Sequence, residues 1–365
     1  SSVYFVDRVC PMLPEKLSNE LCSLRPHEDK LTFSAAFVFD KNFKLRRRWF
    51  GKAIIHSDRR FTYEEAQEVI ETGEGDFAEE ILLLNQLAEK LRERRFKQGS
   101  IDFASDEVRF RLDEDGTPIE VYVKERKASN MLIEDFMLLA NREVAAYIGR
   151  KEKARNKKIP FVYRVHDEPD PDKAMELALF AKALGFEMDV STPEQIAKSY
   201  NRLIARAETD GALKMLSPLA IRTMAKAKYT TENIGHYGLG FSDYSHFTSP
   251  IRRYPDLLVH RAIRFLIRSE GEPNHVDNPG KLPKIPREKI IPYSQADMVA
   301  IGEQCSMTER RADDATRDVV SWLKCQFMES HIGDVFEGVI SGVANFGLFV
   351  QLNELHIDGL VHVAN

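Results

Sequence analysis

Paired cysteines are missing from this chain. Its four, Cys10, Cys22, Cys305 and Cys325, stand far apart without a CxxC among them. That spacing excludes the common zinc and dithiol motifs and leaves reduced, structural thiols as the expectation. No apolar run approaches the length of a membrane span, so a soluble protein with no membrane contact is expected. The opening residues SSVYFVDRVCPMLPEKL carry no basic segment ahead of an apolar core and do not form a signal peptide. Their strand-like alternation reads as a chain that begins inside a domain. Excess positive charge is also absent. The net charge is -5 over 365 residues, so any polyanion site has to be a local concentration of Arg and Lys. Two basic runs, LRERRFK (91–97) and RKEKARNKK (150–158), read as solvated helix face and linker.

What is present is a mixture of period-two and helical spacing. Residues Leu31–Arg48 alternate around a turn at Asp40–Asn42, and a second alternating stretch turns at Asp115-Gly116, which predicts two hairpins. Between them Tyr63–Phe96 has helical spacing, broken at GEG. Asn130–Gly149 predicts a helix ended by Gly149. A strand then leads to a helix capped by Asp170 with Pro171 in its first turn, and helices fill most of Pro171–Lys228. Asp277–Pro292, rich in Pro and Lys, predicts a loop between two helices. SMTE, Ser306–Glu309, has the form of a capping box and predicts a helix start that runs to about His331. Hairpins followed by many helices define an α+β fold. Past a boundary at about Ile332, strict alternation returns with room for about three strands.

Three sets of residues can carry chemistry. In TSPIRRYPD, Pro250 and Pro255 stiffen the backbone around Arg252 and Arg253 at the mouth of a helix. Two guanidinium forks there suit a phosphate, and the helix N-terminus adds partial positive charge; the same arginines could instead pair with carboxylates. AKYTTENIGHYGLGF places Tyr229, His236 and Tyr237 among glycines, which fits either base stacking on single-stranded nucleic acid or a packed loop. Phe346, Phe349 and His362 lie on the early strands of what reads as an OB-type β-barrel, incomplete because such a barrel needs five strands; they fit base contact or core.

The run IGHYGLGFSDYSHFTSPIRRYPDLLVHRAI, with PMLPEKLSNELCSLRP (11–26) and CSMTERRADDATRDVVSWLKC (305–325), resembles the catalytic domain of the RNase R branch of the RNase II superfamily. Residues 333–365 resemble the opening half of the OB-fold RNA-binding module that follows it. The resemblance implies a partial chain: an RNase II-type catalytic domain over 1–332, lacking its N-terminal part, then the first strands of the OB module over 333–365. It implies 3′ to 5′ hydrolysis of single-stranded RNA to nucleoside 5′-monophosphates in the cytoplasm. Arg252 matches the arginine that neutralises charge on the scissile phosphate, Tyr4 matches the tyrosine stacked on the 3′ base, and Arg253 joins the RNA contacts. Magnesium is the implied cofactor, held by a DxxxxxDxDD aspartate cluster. That spacing does not occur in these residues, so no metal ligand is assigned and the chain alone is expected to be inactive. Asp313 and Asp314 read as structural, neutralised by Arg310, Arg311 and Arg317 at helical spacing. Single-stranded RNA is the expected partner, with other RNA-decay or ribosome-associated proteins as further candidates and no physiological oligomer. A non-catalytic RNA-binding relative and a phosphate-recognising module of another enzyme class are the alternatives.

Overall fold

The computed structural model describes residues 1–102, 107–270, 286–353 and 355–364. The chain opens with two short paired strands, β1 (Val3–Tyr4) and β2 (Val9–Cys10), then the long hairpin of β3 (Asp29–Phe39) and β4 (Leu45–His56). Asp40 makes the turn by accepting the amides of Asn42 and Lys44, the usual work of an aspartate at a tight reversal. Next come α1 (Tyr63–Thr72), α2 (Ala78–Lys97), the hairpin β5 (Glu107–Leu112) and β6 (Pro118–Lys124), and α3 (Ala128–Arg155). Then follow β7 (Tyr163–Val165), α4 (Pro171–Ala183), α5 (Pro193–Ala207), α6 (Gly211–Lys214), α7 (Leu216–Thr223) and β8 (Lys228–Thr230). The last elements are α8 (Tyr254–Glu270), α9 (Arg287–Ile290), α10 (Gln295–Glu329) and a meander of β9 (Gly338–Ala344), β10 (Gly347–Leu352) and β11 (Asp358–His362). The architecture is α+β, as expected.

Two packed clusters organise the part of the chain ahead of the terminal meander. In one, Val144 and Ile148 of α3 meet Phe161 and Tyr163 beside β7, Val259 and Ile263 of α8, and Phe50 of β4. The other joins α4 to α7 through Leu177, Tyr200, Leu203 and Leu216. Burying such side chains contributes about 1.5–3 kcal/mol each.

Three expectations fail locally. The helix predicted to stop at Gly149 runs on to Arg155 and is capped by Asn156 in the left-handed region, φ 48°. Gly149 serves a close approach: a Cβ there would stand 3.2 Å from Asp243 Oδ1 and 3.7 Å from the Tyr163 hydroxyl. Ser306 does not start a helix. It lies inside α10, donating to Gly302 O at 2.8 Å and accepting the Tyr229 amide at 2.9 Å, and the real capping box is Ser294 with Asp297. Nor is LRERRFK merely solvated. Arg92 and Arg95 reach the buried Asp135 at 2.9 and 3.5 Å, and burial raises that carboxyl against the two cations that lower it. The predicted 277–292 loop falls largely outside the described residues; within it, residues 287–290 form α9. Among the described residues no helix is long and apolar enough to cross a membrane, and the four cysteines carry free thiols.

Candidate nucleic-acid site

Arg252 sits on the short link between Phe247 and the start of α8, where Pro250 blocks regular hydrogen bonding and Pro255 opens the helix. Its carbonyl accepts the Ser2 amide at 2.9 Å, which staples β1 to the arginine. Two residues along β1 lies Tyr4, 47% exposed. Arg252 and Tyr4 share a cleft of about 750 Å³, whose walls are β1, β5 and the middle of α10. Thr316 of α10 donates to Tyr4 O at 3.3 Å and fixes that wall.

Charge in the cleft is unevenly committed. Arg109 is held by Glu107 at 2.5 Å and Arg317 by Asp314; the latter pair agrees with the helical-spacing expectation. The half-buried Arg252 guanidinium makes no hydrogen bond or ion pair with any described residue. Arg253 does the opposite. It does not line the cleft, and it forks onto the Asp256 carboxylate at 3.0 and 2.9 Å.

Tyr229, His236 and Tyr237 are packed into the domain. Tyr229 is 4% exposed; its hydroxyl meets His246 Nδ1 at 2.7 Å, and the Arg164 guanidinium lies 4.6 Å over its ring. Arg164 in turn reaches Glu309 at 2.5 Å. Burial pushes the Tyr229 phenol far up and the His246 imidazole well down, the latter helped by Arg253 and Arg164. His236 stacks on His166 with ring centroids 5.0 Å apart. Burial, with His166 and Arg164 nearby, lowers the His236 imidazole to about 3. The Gly238 amide donates to His166 Nδ1 at 2.9 Å, so that ring is neutral too. Tyr237 donates to Pro193 O at 2.6 Å. His236 and Tyr237 border a separate, smaller hollow of about 280 Å³, which Tyr229 does not line.

Phe346, Phe349 and His362 come together on the terminal meander. The Phe346 ring lies 6.2 Å from Phe349 and 6.5 Å from His362, and the phenylalanines are 49% and 36% exposed. Gly347 makes this possible: a Cβ at that position would strike Val361 O at 2.3 Å, so β10 and β11 could not close beside Phe346. Sequence reasoning missed Asn141, Arg164 and Asp256. Asp256 was detectable as the i+3 partner of Arg253 in a first helical turn; the other two carry no local signal.

Among the described residues, no group of three or more His, Cys, Asp or Glu side chains is placed to hold a metal ion. Of the carboxylates lining the Arg252 cleft, Glu107 is occupied by Arg109, which leaves Asp313 alone. The described residues do not fit a magnesium cluster.

An RNB domain matches residues 1–269 and an S1 RNA binding domain matches residues 329–365. The chain belongs to the RNB domain family. It is 37% identical over 379 residues to ribonuclease R of Vibrio parahaemolyticus and 37% identical over 373 residues to that of Escherichia coli K12. All of this chain is covered in both comparisons but only 43% and 44% of the relatives, so it spans less than half their length. Mycoplasma genitalium RNase R, solved in complex with ribose methylated single-stranded RNA, superposes with a TM-score of 0.85 at 27% identity, covering 100% of this chain and 55% of that one.

Proposed function

We propose that this chain is the phosphate- and base-gripping part of a 3′ to 5′ hydrolytic exoribonuclease that acts on single-stranded RNA and releases nucleoside 5′-monophosphates. The observation that carries the proposal is the convergence of an ion-pair-free Arg252 with an exposed Tyr4 in one cleft. A guanidinium fork held there meets two oxygens of one phosphate and stabilises charge as it builds on that group. The Tyr4 ring offers a flat face to the terminal base, which is sequence-tolerant because every base has one. The exposed Phe346, Phe349 and His362 extend the same interaction to upstream nucleotides. The Mycoplasma complex, which binds single-stranded RNA, supports this assignment. Magnesium is the proposed cofactor of the whole protein. Because the described residues of this chain form no cluster for it, the chain by itself should bind RNA without hydrolysing it. The cytoplasm, where four free thiols stay reduced, is the proposed setting.

The test is a gel assay of 5′-labelled single-stranded RNA with this chain and magnesium, with Arg252→Ala as control. A mobility shift without shortening, weakened in Arg252→Ala, is the expected result. A ladder of products shortened from the 3′ end would show that carboxylates of this chain support hydrolysis, and neither shift nor ladder would remove the RNA assignment.

A further inference from the structure

Two adjacent arginines enter the same short link, yet only one reaches the cleft. The reason lies in how the peptide before them is held. Asn141 of α3 is buried, and its Oδ1 accepts the amides of Phe247 at 2.8 Å and Thr248 at 3.2 Å. Asp256 of α8 is wholly buried, and its Oδ1 accepts the Ser249 amide at 2.7 Å. Three consecutive peptide N–H groups are thus satisfied by side chains from two different helices. On the other side, His260 Nε2 donates to Phe247 O at 2.8 Å, and Ser249 O accepts the amides of Arg252 and Arg253 at 3.3 and 3.0 Å. The Arg253 fork closes the arrangement by binding both oxygens of Asp256. A buried carboxylate left without such a partner would be strongly destabilised, so Asp256 requires Arg253 as much as Arg253 requires Asp256.

We propose that Arg253, Asp256 and Asn141 are positioning residues that aim Arg252 into the cleft, and that Arg253 is not a second phosphate ligand. The inference rests on the reading of Arg252 as a phosphate contact. Rotating Arg253 outward to meet RNA would strand the Asp256 charge and loosen the Ser249 amide that sets the Arg252 backbone.

A double-mutant cycle on RNA affinity tests it. Binding of a 5′-fluorescein single-stranded RNA is followed by anisotropy in EDTA over a series of salt concentrations, with thermal melting of every variant. Arg252→Ala is expected to weaken binding roughly tenfold and to reduce the salt slope by about 1. Asp256→Asn removes a negative charge, which by charge alone would tighten binding to a polyanion. The proposal requires the reverse: a loss close to that of Arg252→Ala, the same reduction in slope, and no further loss when the two are combined. Arg253→Lys keeps the charge without the fork and is expected to weaken binding severalfold, again with no added loss in the Arg252→Ala background. Should Asp256→Asn fail to fold, Arg253→Lys completes the cycle. Unchanged or tighter binding by the positioning variants, or losses that add in full to that of Arg252→Ala, would overturn the positioning role. If Arg252→Ala itself binds normally, the phosphate-contact reading falls first and the inference falls with it, an outcome separate from additivity.

Discussion

The aromatics of residues 229–237 and those of the terminal meander meet opposite fates, two tyrosines and a histidine in the first set against two phenylalanines and a histidine in the second. Tyr229 stands on β8, which pairs with β7 and packs on α10, and His236 and Tyr237 stand on the glycine-rich segment after it, so each polar tip has to find a protein partner or remain neutral. Phe346, Phe349 and His362 stand on a three-stranded sheet with little behind it, so their rings stay open to solvent. Each set has two six-membered rings and one imidazole, and the difference in exposure comes from what packs on top. An aromatic ring serves nucleic acid only where the fold leaves its face uncovered.

Acid should separate the two regions most strongly. His236, His246 and His166 are held neutral by burial, below the ordinary imidazole value near 6.5. Their folded values are depressed, so the unfolded chain binds more protons below pH 6.5; stability is complete above that pH and is lost as the pH falls. With a folded value of about 3, His236 alone costs about 1.4 kcal/mol per pH unit between 6.5 and 4.5. Urea midpoints at pH 7.5 and 5.0 check this, and equal midpoints would break the comparison. Next in size, Tyr229→Ala empties a packed site and should destabilise by about 3–5 kcal/mol, read from thermal unfolding. Phe346→Ala and Phe349→Ala should each cost about 1–3 kcal/mol in RNA affinity while leaving the catalytic-domain melting unchanged; a stability loss like that of Tyr229→Ala would make these rings core as well. The smallest effect is expected for Tyr229→Phe, which removes only the hydroxyl at His246 and should cost about 1 kcal/mol of stability.

Local signals carried much of this fold into the sequence. The two hairpins, the break between α1 and α2 and the Asp170 cap follow from turn and capping chemistry that acts within a few residues. What sequence did not reveal depends on partners far along the chain. Gly149 looked like a helix end because the Asp243 side chain that crowds it lies 94 positions away. Ser306 looked like a cap because the Tyr229 amide it receives comes from a distant strand. At the site, the resemblance singled out Arg252 and Tyr4, and the cleft brings them together. Periodicity could not tell Arg252 from Arg253, because the distinction is made by a buried carboxylate on the far side of the link.

Helix α10 touches each of these regions in turn. Gly302 presses on the Tyr229 backbone, Thr316 ties down β1, and Lys324 donates to His356 O at 2.6 Å just before the last strand. At 1.5 Å per residue its 35 residues extend about 52 Å. In the proposed RNA complex it would act as a ruler, setting how many nucleotides separate a base at Tyr4 from one at Phe346. Removing a single residue between Thr316 and Lys324 would turn the terminal sheet by about 100° about that axis and put the two proposed base contacts out of phase.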